Sequence, residues 1–175
     1  MNCCHKEQTL KVRLVFSHKQ LIYDIGNYAF VEGDVIGESA EHATHQVKDI
    51  VQAGNIDRVN RILDLAHAEC VEALYPYTKE WLDKNSVLEL DDNPVEHETY
   101  VIELNVPVQF SATTARVLKE LIHEYMVCRV LQDWLEITYP QSSAVWAQKT
   151  QDARDKMKMS LISLITTIRR PLKPF

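Results

Sequence analysis

The chain has 175 residues, 46% hydrophobic and 25% charged, with 19 Lys+Arg against 25 Asp+Glu and a net charge of −6. That balance fits one soluble globular domain spanning 1–175, long enough to bury roughly 70% of the surface its unfolded chain exposes. With only 4 Gly and 6 Pro, it excludes a collagenous or disordered chain, and the acidic sign excludes a general nucleic-acid coat.

No apolar run approaches the ~20 residues of a membrane span. Residues 1–7 (MNCCHKE) lack the charged-then-apolar layout of a signal peptide, so no membrane partner is expected. The four cysteines, Cys3, Cys4, Cys70 and Cys128, do not make a disulfide framework. Cys3 and Cys4 are adjacent, and Cys70 and Cys128 fall among apolar helix positions, where a thiol acts as a small hydrophobe. Reduced thiols in a cytoplasm are the expectation.

Along the chain, Leu10, Val12, Leu14 and Phe16 alternate with Lys11 and Arg13, the period of a half-buried strand. Ser17 and Gln20 then stand at capping-box spacing before a helix with Leu21, Ile22, Ile25, Tyr28 and Ala29 on its stripe. Ser39 caps a second helix carrying Ala43, Val47, Ile50 and Val51, with Glu38 and Glu41 at its positive end. Gly54 stops it. Asn55 caps a third, with Val59, Leu63, Ala66, Cys70 and Leu74 as its apolar stripe. After a turn over 78–84 the period becomes two. Val87, Leu88 and Leu90, then Tyr100, Ile102, Leu104 and Val106, flank Asp91, Asp92, Asn93 and Pro94, which reads as a β-hairpin insertion over 87–106. A lone hairpin is marginal in water, so it needs the N-terminal strand, the helices or a partner to cover it. Helices over 113–138 and 143–169 complete a mainly α fold: a bundle of four to five helices with a small antiparallel sheet.

The 113–138 helix changes sides. Arg116, Lys119, Glu120 and His123 form one polar stripe, and Arg129, Gln132, Asp133 and Glu136 repeat it 13 residues later. At about 100° per residue that is a rotation of about 220°. Val117, Leu121, Ile122, Tyr125 and Cys128 therefore face one way, and Val127, Val130, Leu131 and Trp134 the other. Two explanations stay open: a central helix packed on different neighbours at its ends, or an intersubunit face around Trp134.

Residues 149–175 hold seven basic and two acidic side chains, a local +5 that leaves −11 on the rest. The last seven residues, from Arg169 and Arg170 to Phe175, contain two prolines and read as an extended arm over 169–175. The interface candidates are thus Val127, Val130, Leu131, Trp134, Arg169, Arg170 and Phe175.

Candidate chemistry is thin. His42/His45 and His67/Cys70 have one-turn spacing, but it is generic and Cys70 already fits a core stripe. Asp64/His67 and Glu120/His123 resemble the carboxylate–histidine pairs of di-iron bundles. Those pairs must point inward, whereas Glu120 and His123 lie on the polar stripe. Asp24, Glu32 and Asp34 cluster near Gly33 and Gly37 without the alternating ligands of a calcium loop. Tyr23, Tyr28, Tyr75 and Tyr77 sit at helix ends and read as core. No nucleophile elbow or phosphate loop occurs. No enzyme activity, metal, cofactor or small-molecule substrate is expected.

Three stretches carry a resemblance: residues 21–34 (LIYDIGNYAFVEGD), 121–135 (LIHEYMVCRVLQDWL) and 169–175 (RRPLKPF), about a fifth of the chain. Together they resemble small structural proteins from head–tail connector, neck or tail modules of tailed bacteriophages and prophages of gut Bacteroidetes. The resemblance implies a non-enzymatic structural or assembly subunit, self-associating into a ring, contacting neighbouring virion proteins, and assembled in the bacterial cytoplasm into the virion. A local DNA contact is compatible with the basic tail, general DNA binding is not. The alternative from the residues is a small intracellular helical binding or regulatory protein, dimeric through the Trp134 face.

Overall fold

The computed structural model describes residues 9–36, 41–75, 77–80, 87 and 97–162. In order come β1 (Thr9–Ser17), α1 (His18–Val35), α2 (Glu41–Lys48), a short 3-10 turn (Asp49–Val51), α3 (Ile56–Ala73), β2 (Thr99–Pro107), α4 (Ala112–Thr138) and α5 (Pro140–Ile162). The protein is mainly helical with one small antiparallel sheet, as its periodicities predict.

In that sheet Phe16 lies opposite Tyr100, Leu14 opposite Ile102, Val12 opposite Leu104 and Leu10 opposite Val106. Because strand side chains alternate, all eight share one face. Leu14, Phe16, Tyr100, Ile102, Leu104 and Val106 are buried there, while Leu10 at the sheet's end stays half exposed. Among the described residues β2 is partnered by β1, far earlier in the chain. The other edge of β2 is in part taken already. The Asn105 amide donates to the Tyr77 carbonyl (2.8 Å) and the Val101 carbonyl accepts from His67 Nε2 (3.1 Å). Val87 is exposed. Leu88, Leu90 and the Asp91–Pro94 loop of the expected hairpin lie outside the described residues.

Local start signals behave less simply than their spacing suggests. Ser17 has the extended backbone of an N-cap, but its hydroxyl makes no cap bond. Without that bond the capping box does not form, and the Gln20 amide N–H instead donates to both Asp24 oxygens (3.0 and 3.1 Å). Asn55 likewise donates to the Asp49 carbonyl (2.9 Å), tying the 3-10 turn to α3 instead of capping. Ser111 does cap α4, accepting from the Thr113 amide (3.2 Å). Pro140 opens α5, where a missing N–H costs nothing. The proposed cap Ser39 with Glu38, and everything after Ile162, lie outside the described residues.

The buried apolar side chains form one continuous cluster, and α4 runs through it. The predicted α3 stripe, Val59, Leu63, Ala66, Cys70 and Leu74, is wholly buried. On α4, Ile122, Tyr125 and Cys128 are buried on one side and Val127, Val130, Leu131 and Trp134 on the other. α1, α2, α3, α5 and β1 all touch α4. Its change of sides is thus answered inside the chain: a central helix needs apolar residues around most of its girth. Val117 near its N-terminus and Ile137 near its C-terminus stand at least half exposed.

Candidate interaction surface

Four of the seven residues picked as an interface lie inside the fold. Val127, Val130 and Leu131 are fully buried and Trp134 is 8% exposed, its indole N–H donating to the Gln46 carbonyl of α2 (3.2 Å). This corrects the expectation of an open Trp134 face: α2 covers it. Arg169, Arg170 and Phe175 lie outside the described residues.

The polar groups with chemical potential are mostly spoken for. Asp64 accepts a hydrogen bond from the Tyr100 hydroxyl (2.7 Å), with His97 Nε2 3.8 Å from the same oxygen. The rings of His67 and His97 each lie 5.3 Å from that of Tyr100, and His18 lies 6.3 Å away. His18 Nε2 is 2.8 Å from Asn60 Oδ1. This cluster clamps the start of β2 onto α3 and the head of α1. Burial lowers the His67 pKa, against an opposing pull from the Val101 carbonyl it meets, so the ring is held neutral. Burial and the Asp64 carboxylate together raise the Tyr100 pKa, leaving a permanent hydroxyl donor.

A second clamp joins α3 to α4. Glu69 accepts from the Tyr125 hydroxyl (2.5 Å) and faces Arg129 Nε (3.6 Å), while Arg58 pairs with Asp133 (2.7 Å). Burial raises the Cys70 thiol well above its ordinary range, and burial with Glu124 pushes Cys128 up to about 12. Neither is a thiolate at neutral pH, and thiols of this kind are poor nucleophiles and poor ligands. Among the described residues no three His, Cys, Asp or Glu side chains are gathered as a metal would require. No helix among them is long and apolar enough to cross a membrane.

Asp24, Glu32 and Asp34 of α1 go to three different partners. Asp24 meets His123 Nε2 (2.8 Å), Glu32 accepts from the Trp146 indole N–H (3.4 Å), and Asp34 pairs with Lys48 (2.5 Å). His123 is thus not simply solvated; it floors a cleft of about 370 Å³ lined by Val15, Ser17, Gln20, Asp24, Lys119 and Glu120. The Asp24–His123 pair resembles an oriented imidazole. It ties α1 to α4 across that cleft.

What sequence reasoning missed is the outer side of α1. Leu21, Ile25, Ala29 and Gly33 form its buried side, yet Tyr23 (67% exposed), Phe30 (55%), Val31 (55%) and Val35 (76%) face outward. Tyr75 is also mostly exposed, so neither it nor Tyr23 is the core residue its position implied. Gly33 lets α2 close in on α1, since a Cβ there would come within 2.8 Å of the Lys48 stem. Lys48 then reaches over Phe30, its ammonium 4.5 Å from the ring centre, and grips Asp34. The available signal was composition: a surface helix with apolar residues around its whole girth has more than one side to cover.

No protein-family model, curated protein or solved structure matches this chain.

Proposed function

We propose that the protein is a non-enzymatic structural or assembly subunit of a phage-like virion, working at the head–tail connector, neck or tail ring. The observation that carries the assembly role is the outward apolar side of α1, where Tyr23, Phe30, Val31 and Val35 are all more than half exposed. A solvated side of that composition is characteristic of a docking surface rather than of a free one. The virion setting rests on the sequence resemblance. Its first stretch, 21–34, contains most of this surface, and its second, 121–135, forms the helix that α1 packs upon, joined by the Asp24–His123 pair. Neighbouring virion proteins are the natural partners in this reading, met after synthesis in the bacterial cytoplasm.

Quantitative mass spectrometry of purified particles from a culture producing them tests this. The expected result is the chain at a fixed copy number per particle, retained through a density gradient. Its absence from particles, with the protein recovered only from the soluble lysate, overturns the virion role and favours the small binding or regulatory protein instead.

A further inference from the structure

We infer that the outer side of α1 binds the same side of a second copy, the two helices lying antiparallel about a two-fold axis between Gly26 and Asn27. This deepens the assembly reading and rests on it.

The argument is one of self-complementarity. At about 100° per residue, Lys19, Phe30, Tyr23, Asp34 and Asn27 fall within an arc of about 80° on α1. All five are exposed. Antiparallel pairing about that axis sets residues whose numbers sum to 53 opposite each other. Tyr23 then meets Phe30 of the second copy, and Lys19 meets Asp34, each twice by symmetry. An aromatic pair at the centre with a cation–anion pair outside it is the layout of an interface core with a polar rim. Val31 widens the apolar zone at its flank.

The details around Asp34 agree. Lys48 engages its Oδ1, and a carboxylate has a second oxygen for another cation. At that end of α1, Lys48 is the cation on Asp34, while Glu32 is met by the Trp146 indole N–H. The same Lys48 ammonium over Phe30 would cover the incoming Tyr23 ring as well. A different protein could bring an aromatic residue, but only a copy of this chain supplies the cation and the anion at matched distances from the axis. Such a contact closes on itself, so it makes a dimer, and any ring is built from dimers through other surfaces.

The test is sedimentation equilibrium of the full chain with four variants. Wild type is expected to be a reversible dimer. Phe30→Glu weakens it on the order of a hundredfold or more, because the substitution acts twice across the axis. Lys19→Glu and Asp34→Lys each weaken it on the order of tenfold, by placing like charges opposite one another. The double swap Lys19→Glu/Asp34→Lys recovers most of the affinity, which a merely damaged fold does not do. As an independent readout, Asn27→Cys with Cys3 and Cys4 replaced by serine forms an intermolecular disulfide under mild oxidation. A dimer indifferent to Phe30→Glu, or one not rescued by the double swap, overturns this contact and leaves the assembly role standing. A monomer at every concentration overturns it too; with the chain also absent from particles, the assembly role falls with it.

Discussion

α1 and α4 have the same peculiarity and opposite fates. Each is apolar on more than one side, so neither shows the single stripe of an ordinary surface helix. α4 lies in the middle, and its second side, Val127 to Trp134, is sealed by α2 and its neighbours. α1 lies at the edge, where α4, α2 and the 3-10 turn cover one side, while Tyr23 and Phe30 stay more than half exposed and Phe30 is topped by the Lys48 ammonium. A missing stripe thus says that a helix has two sides to bury. Whether the second is buried within the chain or beyond it depends on where in the fold the helix stands.

The comparison breaks most directly at Trp134. Trp134→Ala removes a nearly buried ring together with the indole donor to the Gln46 carbonyl. The expected loss is about 3–5 kcal/mol, read by urea unfolding of the monomer. Phe30→Ser, on the exposed side of α1, is expected to stay within about 0.5 kcal/mol under the same dilute conditions. Comparable losses at both positions contradict the assignment of one side to the core and the other to the surface.

How much of this was legible follows from the range of the interactions. The α3 stripe and the β1 alternation are local, set by side-chain periods of 3.6 and 2, and the sequence alone locates them. The β1–β2 partnership is not local. Residues 87–90 alternate as well as 10–16 do, and nothing in either pattern says which one faces Tyr100. The Tyr100 cluster is drawn from three separate segments, at His18, at Asp64 and His67, and at His97. The Asp64/His67 pair was readable from its spacing, but its convergence with His18, His97 and Tyr100 was not. At the α1 surface the residues themselves were readable, but exposure is a property of the packing around them.

That cluster sharpens the comparison through pH. His67 has a lowered pKa in the folded protein, chiefly because it is buried. The unfolded state therefore binds its proton more readily, and the stability His67 contributes is complete above the ordinary value near 6.5. It falls away as pH drops below that value toward the folded one. Protonation would place a charge on a buried ring that meets the Val101 carbonyl, while Asp64, the nearby carboxylate, is already engaged by Tyr100. Unfolding free energy measured from pH 7.5 to 5.5 should decline, and His67→Gln, which keeps an N–H donor for Val101, should flatten the decline. An unchanged slope in that variant removes His67 as its source.

The smallest effects come from the two glycines on the inner side of α1, and they separate close packing from mere propensity. Alanine in a helix interior gains up to about 1 kcal/mol over glycine. At Gly26 the added methyl would come 3.3 Å from a Val51 methyl. Val51 is 37% exposed on a short 3-10 turn, so it can yield a few tenths of an ångström, and Gly26→Ala should stabilise by about 0.5 kcal/mol. At Gly33 the methyl would stand 2.8 Å from both Cγ and Cε of Lys48. The whole stem must move, and with it the ammonium that spans Phe30 and Asp34. Gly33→Ala should therefore destabilise by about 1 kcal/mol despite its better propensity. Opposite signs at two glycines seven residues apart on one helix would place the close approach of α2 at Gly33. Equal gains at both would mean that Lys48 is free to leave, and that the cation over Phe30 is no fixed part of the α1 surface.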